Sequence, residues 1–204
     1  MSYYVPQGTV YGTLLNFRSE FEAMAPQMNE APYKAPPKAP ILYVKTANTF
    51  SPSGAQIPVP ALVPQVEIGA TVGLVMKSAT EVAGCVLMND LSIPHASFFR
   101  PPVKFKCLDG FLGIGAEVRA ADPASLRIEV LVNGELRQTV RFDALLRDPK
   151  RLLADVAEFM TLREGDVLLL GYDAPRPLAK AGDRIELRSD ALGSLVNTLV
   201  PEAA

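Results

Sequence analysis

Thr71-Val-Gly-Leu-Val-Met76 and Val82-Ala-Gly-Cys-Val-Leu-Met88 stand either side of a short polar link, Lys77-Ser-Ala-Thr-Glu81. Both runs are apolar at consecutive positions rather than alternate ones. That pattern belongs to strands covered on both faces. Working outward, Ile41–Lys45 is apolar and rich in residues that favour extended backbone. Arg127–Arg141 reads as a hairpin, with Ile128, Val130 and Val132 alternating before an Asn133-Gly134 turn that tolerates positive φ. Val167–Leu170 follows a Gly165-Asp166 turn. Arg184–Arg188 follows Ala181-Gly182-Asp183, and a last strand lies near Leu195–Val200.

Helical signals are few. Arg151–Met160 places Leu152, Leu153, Val156, Phe159 and Met160 on one face, behind Asp148-Pro149 as cap and first-turn proline. Leu14–Met28 has helical spacing at Leu15, Phe21 and Met24, and Pro26 is expected to end it. The stretch Ala31-Pro-Tyr-Lys-Ala-Pro-Pro-Lys-Ala-Pro40 is an extended connector, because proline removes donors and restricts the residue before it. The expected architecture is mainly β (α+β) with one or two short helices. Residues 1–204 form one domain, with an N-terminal segment and Pro-rich connector over 1–40 and a β core over 41–204.

Composition narrows the function. A net charge of −2 speaks against nucleic acid, which selects basic surfaces. No apolar run approaches the roughly 18–20 residues of a membrane span, and Met-Ser-Tyr-Tyr-Val-Pro lacks the pattern of a signal peptide. Two cysteines, Cys85 and Cys107, build neither a disulfide scaffold nor a zinc site, so a reducing, cytoplasmic setting is expected. The single histidine, His95, has no Gly-x-Ser-x-Gly elbow to serve and reads as a loop histidine. Gly110-Phe-Leu-Gly-Ile-Gly115 lacks the Gly-Lys-Ser/Thr of a phosphate loop.

Two charged positions stand out. Asp90 closes a strongly apolar strand, where a carboxylate serves a hard metal or equally caps a turn. Lys104 and Lys106, two apart in an extended segment, fall on one face. Such a pair suits a dicarboxylate and equally suits a solvated surface.

At these residues the order of short motifs resembles the fumarylacetoacetate hydrolase family. The motifs are Tyr43-Val-Lys45-Thr-Ala-Asn48, Gly69–Met76, Asn89-Asp90-Leu-Ser92, Lys106-Cys-Leu-Asp109-Gly-Phe111, Val132-Asn-Gly-Glu135, Leu162-Arg-Glu-Gly-Asp166 and Ala181-Gly-Asp183. The resemblance implies a mixed β-sandwich roll in which Mg²⁺ or Mn²⁺, held by a Glu-x-Glu and an Asp, chelates a 2-oxo acid. Pro32–Lys38 and Ser97–Pro101 are similar to the branch that isomerises and decarboxylates intermediates of homoprotocatechuate (4-hydroxyphenylacetate) breakdown. The two halves of that branch are separate subunits in some bacteria.

Carried over by residue, Asp90 matches the third metal carboxylate and Lys106 the catalytic lysine. The Glu-x-Glu falls on Gly69-Ala70-Thr71, with Glu67 two residues upstream as a residual ligand. The family's proton-transferring His and Glu fall on Glu20 and Ala23, and its Gly-Thr-Pro is Gly171-Tyr172-Asp173. Arg18, Lys45 and Lys104 join Lys106 as expected contacts to substrate carboxylates. The resemblance thus implies a subunit that holds its metal poorly, acts on a small 2-oxo dicarboxylate, and pairs with a companion C-terminal-type subunit or with its own copy. The alternatives are a non-catalytic structural subunit and a self-sufficient acylpyruvate hydrolase or oxaloacetate decarboxylase.

Overall fold

A computed structural model describes residues 3–95, 99 and 101–202. Along the chain run β1 (Val10–Leu14), α1 (Arg18–Met28), β2 (Ile41–Lys45), β3 (Phe50–Pro52), β4 (Gln56–Val59), β5 (Val66–Glu67), β6 (Ala70–Met76) and β7 (Val82–Asp90). They are followed by α2 (Val103–Lys106), β8 (Leu112–Ile114), β9 (Arg127–Val132), β10 (Glu135–Arg141), α3 (Pro149–Ala157), β11 (Val167–Leu169), β12 (Leu178–Ala179), β13 (Arg184–Ser189) and β14 (Gly193–Pro201). A seven-stranded sheet has the order β2-β1-β11-β6-β7-β8-β3, and a five-stranded sheet the order β10-β9-β13-β14-β4. Parallel pairs (β1 with β11, β3 with β8, β14 with β4) sit among antiparallel ones, so both large sheets are mixed.

The apolar runs of β6 and β7 lie mid-sheet, antiparallel and adjacent, and every residue of β6 is buried. One face of the pair joins the main core, with Val72, Leu74, Leu87, Ile128, Leu187 and Leu195. The other face supports a second cluster of Val75, Val86, Met88, Ile114 and Val167. Consecutive apolar residues are therefore needed here, as the sequence indicated. Asn133 (φ 53°) and Gly134 (φ 82°) make the β9–β10 turn in the left-handed region. Asp148 caps α3 by accepting the Arg151 N–H at 2.8 Å.

Five local expectations differ. The connector is not extended at its start, where the Tyr33 and Lys34 N–H groups both donate to the Glu30 carbonyl, at 2.9 and 3.0 Å, and Lys34 takes a φ of 72°. Val10–Leu14 is a strand, because β2 and β11 flank it and supply its backbone partners, and α1 begins only at Arg18. Pro26 lies inside α1 rather than ending it. The carbonyl it leaves without a donor belongs to Glu22, which is exposed to water. The segment around Lys104 and Lys106 is not extended but the helical turn α2, closed by the Lys106 N–H donating to the Pro102 carbonyl at 2.9 Å. Two residues apart on a helix face opposite ways, so Lys106 is buried and Lys104 exposed. Finally, α3 stops at Ala157, and Phe159 lies past it, exposed rather than on the buried face.

Candidate active site

The seven-stranded sheet curls until its edge reaches its centre. Tyr43 and Lys45 alternate on the buried side of β2 and meet Asp90 at the end of β7, although three strands separate β2 from β7 in the sheet order. Gly12 of β1, paired directly with Tyr43 of β2, makes this approach possible, because a Cβ there would collide with the Tyr43 ring. The Tyr43 hydroxyl donates to Asp90 Oδ2. Lys106 Nζ lies 2.8 Å from Oδ2, and Lys45 Nζ 2.9 Å from Oδ1. Lys45 also donates to the carbonyls of Phe111, at 2.9 Å, and Lys106. Lys106 Nζ lies over the rings of Tyr43 and Tyr172, 4.8 and 4.6 Å from their centroids.

These groups are dry, and their ionisation follows from that. Burial by itself raises the Asp90 carboxyl. The ammonium groups of Lys106 and Lys45 and the hydrogen bonds from Lys106 and Tyr43 outweigh it and hold Asp90 well below the usual carboxylate range. Burial pushes the Lys106 ammonium down to about 8, against the pull of Asp90. The Tyr43 phenol is driven well up by burial and by the neighbouring Asp90 charge.

Beside this cluster opens a cleft of about 420 Å³ between α1, the 94–95 loop and the 174–176 loop. Its polar lining is Glu20, Gln27, Glu67, His95 and Arg176, and its apolar lining includes Ala23, Met24, Pro175 and Leu178. Glu20 heads the buried stripe Glu20, Met24, Met28 of α1, and its Oε2 accepts the Leu15 N–H at 2.6 Å. The 173–176 loop is fastened from both sides. Ser19 donates to Asp173 and accepts the Ala174 N–H at 3.1 Å, while Gln138 donates to the Pro175 carbonyl at 3.2 Å. Arg176 thereby lies 4.4 Å over the Tyr172 ring, with one nitrogen 2.5 Å from Glu67.

Among the described residues, Glu20 Oε1 and Arg176 Nη1 are buried without a hydrogen-bond partner. Burial pushes the Glu20 carboxyl up to about 7, against the opposing pull of Arg176, the Leu15 N–H, Lys106 and Tyr172. The Tyr172 hydroxyl is near enough to favour the ionised form without closing a regular hydrogen bond. His95 stacks on Phe105 at 4.6 Å, and burial lowers its pKa below the ordinary value.

Of the residues expected at the site, Asp90, Lys106 and Lys45 come together, and Glu67 lies nearby as the partner of Arg176. Lys104 points to solvent, and Arg18 is exposed at the start of α1. The Ser97–Pro101 motif falls largely outside the described residues. A three-carboxylate metal centre does not fit these side chains. Asp90 is committed to two ammonium groups and a phenol, a Cβ at Gly69 would collide with the Asp90 carbonyl, and the Thr71 hydroxyl donates to the Gly171 carbonyl at 2.5 Å. No group of three His, Cys, Asp or Glu is placed to hold a metal among the described residues. Sequence reasoning missed Arg176. Its signal was the triplet Pro175-Arg176-Pro177, in which two prolines fix the backbone around a lone cation.

Comparison with known proteins agrees with this architecture. The fumarylacetoacetate (FAA) hydrolase C-terminal family matches residues 9–200. The chain is 37% identical over 206 residues to the 4-hydroxyphenylacetate degradation bifunctional isomerase/decarboxylase of Escherichia coli, covering 96% of this chain and 48% of that protein. It thus spans about half the length of that curated relative. It is 28% identical to a mitochondrial oxaloacetate tautomerase, FAHD1, of Rattus norvegicus over 76% of this chain and 79% of that one. The structure of a 5-carboxymethyl-2-hydroxymuconate delta-isomerase from Mycobacterium smegmatis shares the fold, with a TM-score of 0.79 at 23% identity, covering 98% of this chain and 81% of that one. No helix among the described residues is long and apolar enough to cross a membrane. The chain belongs to the fumarylacetoacetate hydrolase family.

Proposed function

We propose that this chain is the metal-free member of a paired isomerase/decarboxylase of homoprotocatechuate catabolism. It would work beside a domain that carries the complete carboxylate triad, supplied by a companion subunit. The pair would act on 5-oxopent-3-ene-1,2,5-tricarboxylate and 2-hydroxyhepta-2,4-diene-1,7-dioate. The observation that carries this reading is the commitment of Asp90 to Lys45, Lys106 and Tyr43. Drawing that carboxylate onto a divalent ion would strand two ammonium groups in the interior, and removing one partner of a buried pair costs about 3–5 kcal/mol. Hard cations also rely on several charged oxygens, and Gly69 and Thr71 supply none. The half-length match to the bifunctional relative supports the pairing. So do Val44 on β2 and Val103 on α2, which are exposed apolar residues along one groove.

Calorimetric titration of the chain with Mn²⁺ tests the reading, with Asp90→Asn alongside. No heat of binding is expected at micromolar concentrations from either protein, and decarboxylation should appear only when a triad-bearing partner is added. Micromolar binding that vanishes in Asp90→Asn would overturn it. That result would favour a self-sufficient enzyme, the reading to which the oxaloacetate tautomerase likeness lends weight.

A further inference from the structure

The two large sheets end in four edge strands, and three of these carry features that stop a further strand from pairing. β3 is three residues long and ends in Pro52, and β4 holds Pro58. β10 presents Glu135, Arg137 and Arg141 and breaks register between Leu136 and Gln138. The fourth edge, β2, has none of these. Ile41-Leu-Tyr-Val-Lys45 contains no proline, pairs with β1 in an unbroken register, and turns its one charge, Lys45, inward onto Asp90.

The open side of β2 follows from its pairing. Backbone groups alternate in direction along a strand, and the Thr9 carbonyl, just ahead of β1, accepts the Val167 N–H of β11. Val10, Gly12 and Leu14 therefore point to β2, where they meet Lys45, Tyr43 and Ile41. The backbone of Leu42 and Val44 faces away from the sheet. Among the described residues, the only donor there is the Cys107 thiol, a weak one, 3.3 Å from the Val44 carbonyl. A groove of about 470 Å³ runs along this edge, walled on its far side by Pro101, Pro102 and Val103. Val44 is 45% and Val103 61% exposed, so unpaired backbone lies between apolar surfaces.

Exposed charge beside the groove is mainly positive. Lys104 follows Val103, Lys38 lies just ahead of β2, and Lys34 follows Tyr33, which packs edge-to-face on Phe99 of the groove wall. The acidic residue nearest the lining in sequence, Asp109, is taken by the Asn48 amide at 2.7 Å. Two copies of this chain paired here would bring these lysines together, which opposes self-association. Resting on the paired reading for the source of the strand, we infer that β2 is extended by a strand of the companion subunit. That strand has apolar side chains at alternate positions and acidic residues at its ends. Its backbone bonds to Leu42 and Val44, its apolar side chains fill the groove against Val44 and Val103, and its acidic ends face Lys38 and Lys104.

The probe is the peptide acetyl-Asp-Glu-Val-Thr-Val-Thr-Val-Glu-Asp-amide, added at millimolar concentration to the full chain while amide exchange is followed by NMR. In the free chain the amides of Leu42 and Val44 should exchange fast and those of Tyr43 and Lys45 slowly. The peptide should slow Leu42 and Val44 by at least about tenfold and leave Tyr43 and Lys45 unchanged. A version with proline at its fourth and fifth positions removes donors from both edges and should protect neither amide. A version with lysine in place of its acidic residues should bind at least about tenfold more weakly. Lys104→Glu, at an exposed position where an unchanged melting temperature shows that the fold is kept, should narrow that preference.

The inference is overturned if Leu42 and Val44 are already protected in the free chain, if the peptide leaves them fast, or if the proline or lysine version protects them equally. Protection that rises with the concentration of the chain alone would give this edge to a second copy and overturn it as well. No companion subunit takes part in this titration, so its failure is separate from that of the paired reading, which decarboxylation with a triad-bearing partner decides.

Discussion

The Asp90 cluster and the Glu20–Arg176 cleft lie side by side and are built from the same kinds of group, yet they are wired differently. Around Asp90 each carboxylate oxygen faces an ammonium group, Lys45 at 2.9 Å from Oδ1 and Lys106 at 2.8 Å from Oδ2, and Tyr43 donates to Oδ2 as well. Around Glu20 and Arg176, each side chain uses one atom on the protein and leaves another buried and unmatched. A buried carboxylate held between two counter-charges ties the curl of a sheet together, whereas a buried group with fewer partners is costly. Burial alone therefore does not mark a binding group.

The largest effect that would break this contrast lies in the ion-paired half. Asp90→Asn leaves Lys45 and Lys106 buried with a single neutral acceptor between them, and about 3–5 kcal/mol of stability should go. In a chain of this size that is a fall in melting temperature of about 6–20 °C, readable by calorimetry. A fall of only a degree or two would show that the lysines find other partners.

Next is Glu20, whose carboxyl is shifted from 4.5 to about 7 by burial. With the folded pKa above the unfolded one, the folded state holds the extra proton between those values. Stability therefore declines as pH rises through this window. The shift corresponds to about 3 kcal/mol, fully felt above pH 7 and absent below 4.5. Urea unfolding between pH 4.5 and 8 should show this decline in the parent chain and a flatter profile in Glu20→Gln. Equal slopes would place the Glu20 pKa near its ordinary value.

A sharper probe of how the two halves are joined is Gly69→Ala. Its Cβ meets the Asp90 carbonyl oxygen, so overpacking should cost about 1–3 kcal/mol in chemical denaturation. A neutral result would show that the end of β7 yields. Smallest is Lys77→Ala, which removes the exposed 3.2 Å pair with Glu81 and should change stability by less than about 1 kcal/mol. A loss as large as that of Asp90→Asn would mean that burial is not what separates the two kinds of pair.

Much of the scaffold was legible because its signals are local. The double-sided apolar runs of β6 and β7, the Asn133-Gly134 turn and the Asp148 cap each depend on neighbours within a few residues. The Lys104–Lys106 pairing misled for the complementary reason. Alternation assumes an extended backbone, and the turn closed on Pro102 replaced it with a helical one. Val10–Leu14 carries a strand that its own spacing does not announce, since both its partners come from elsewhere in the chain.

The site divides along the same line. Sequence by itself determined the order of motifs that places the chain in its family; that Asp90 lacks a Glu-x-Glu and that Glu20 takes the place of a histidine are what the resemblance implies. Tertiary structure decided what those residues do. Only the curl of the seven-stranded sheet brings Tyr43 and Lys45 onto Asp90, and only the fastened 173–176 loop sets Arg176 beside Glu20, from the opposite end of the chain. Ionisation and pairing in a dry interior depend on which charges lie within a few ångströms. That distance is set by long-range packing and is not written in the spacing of residues along the chain.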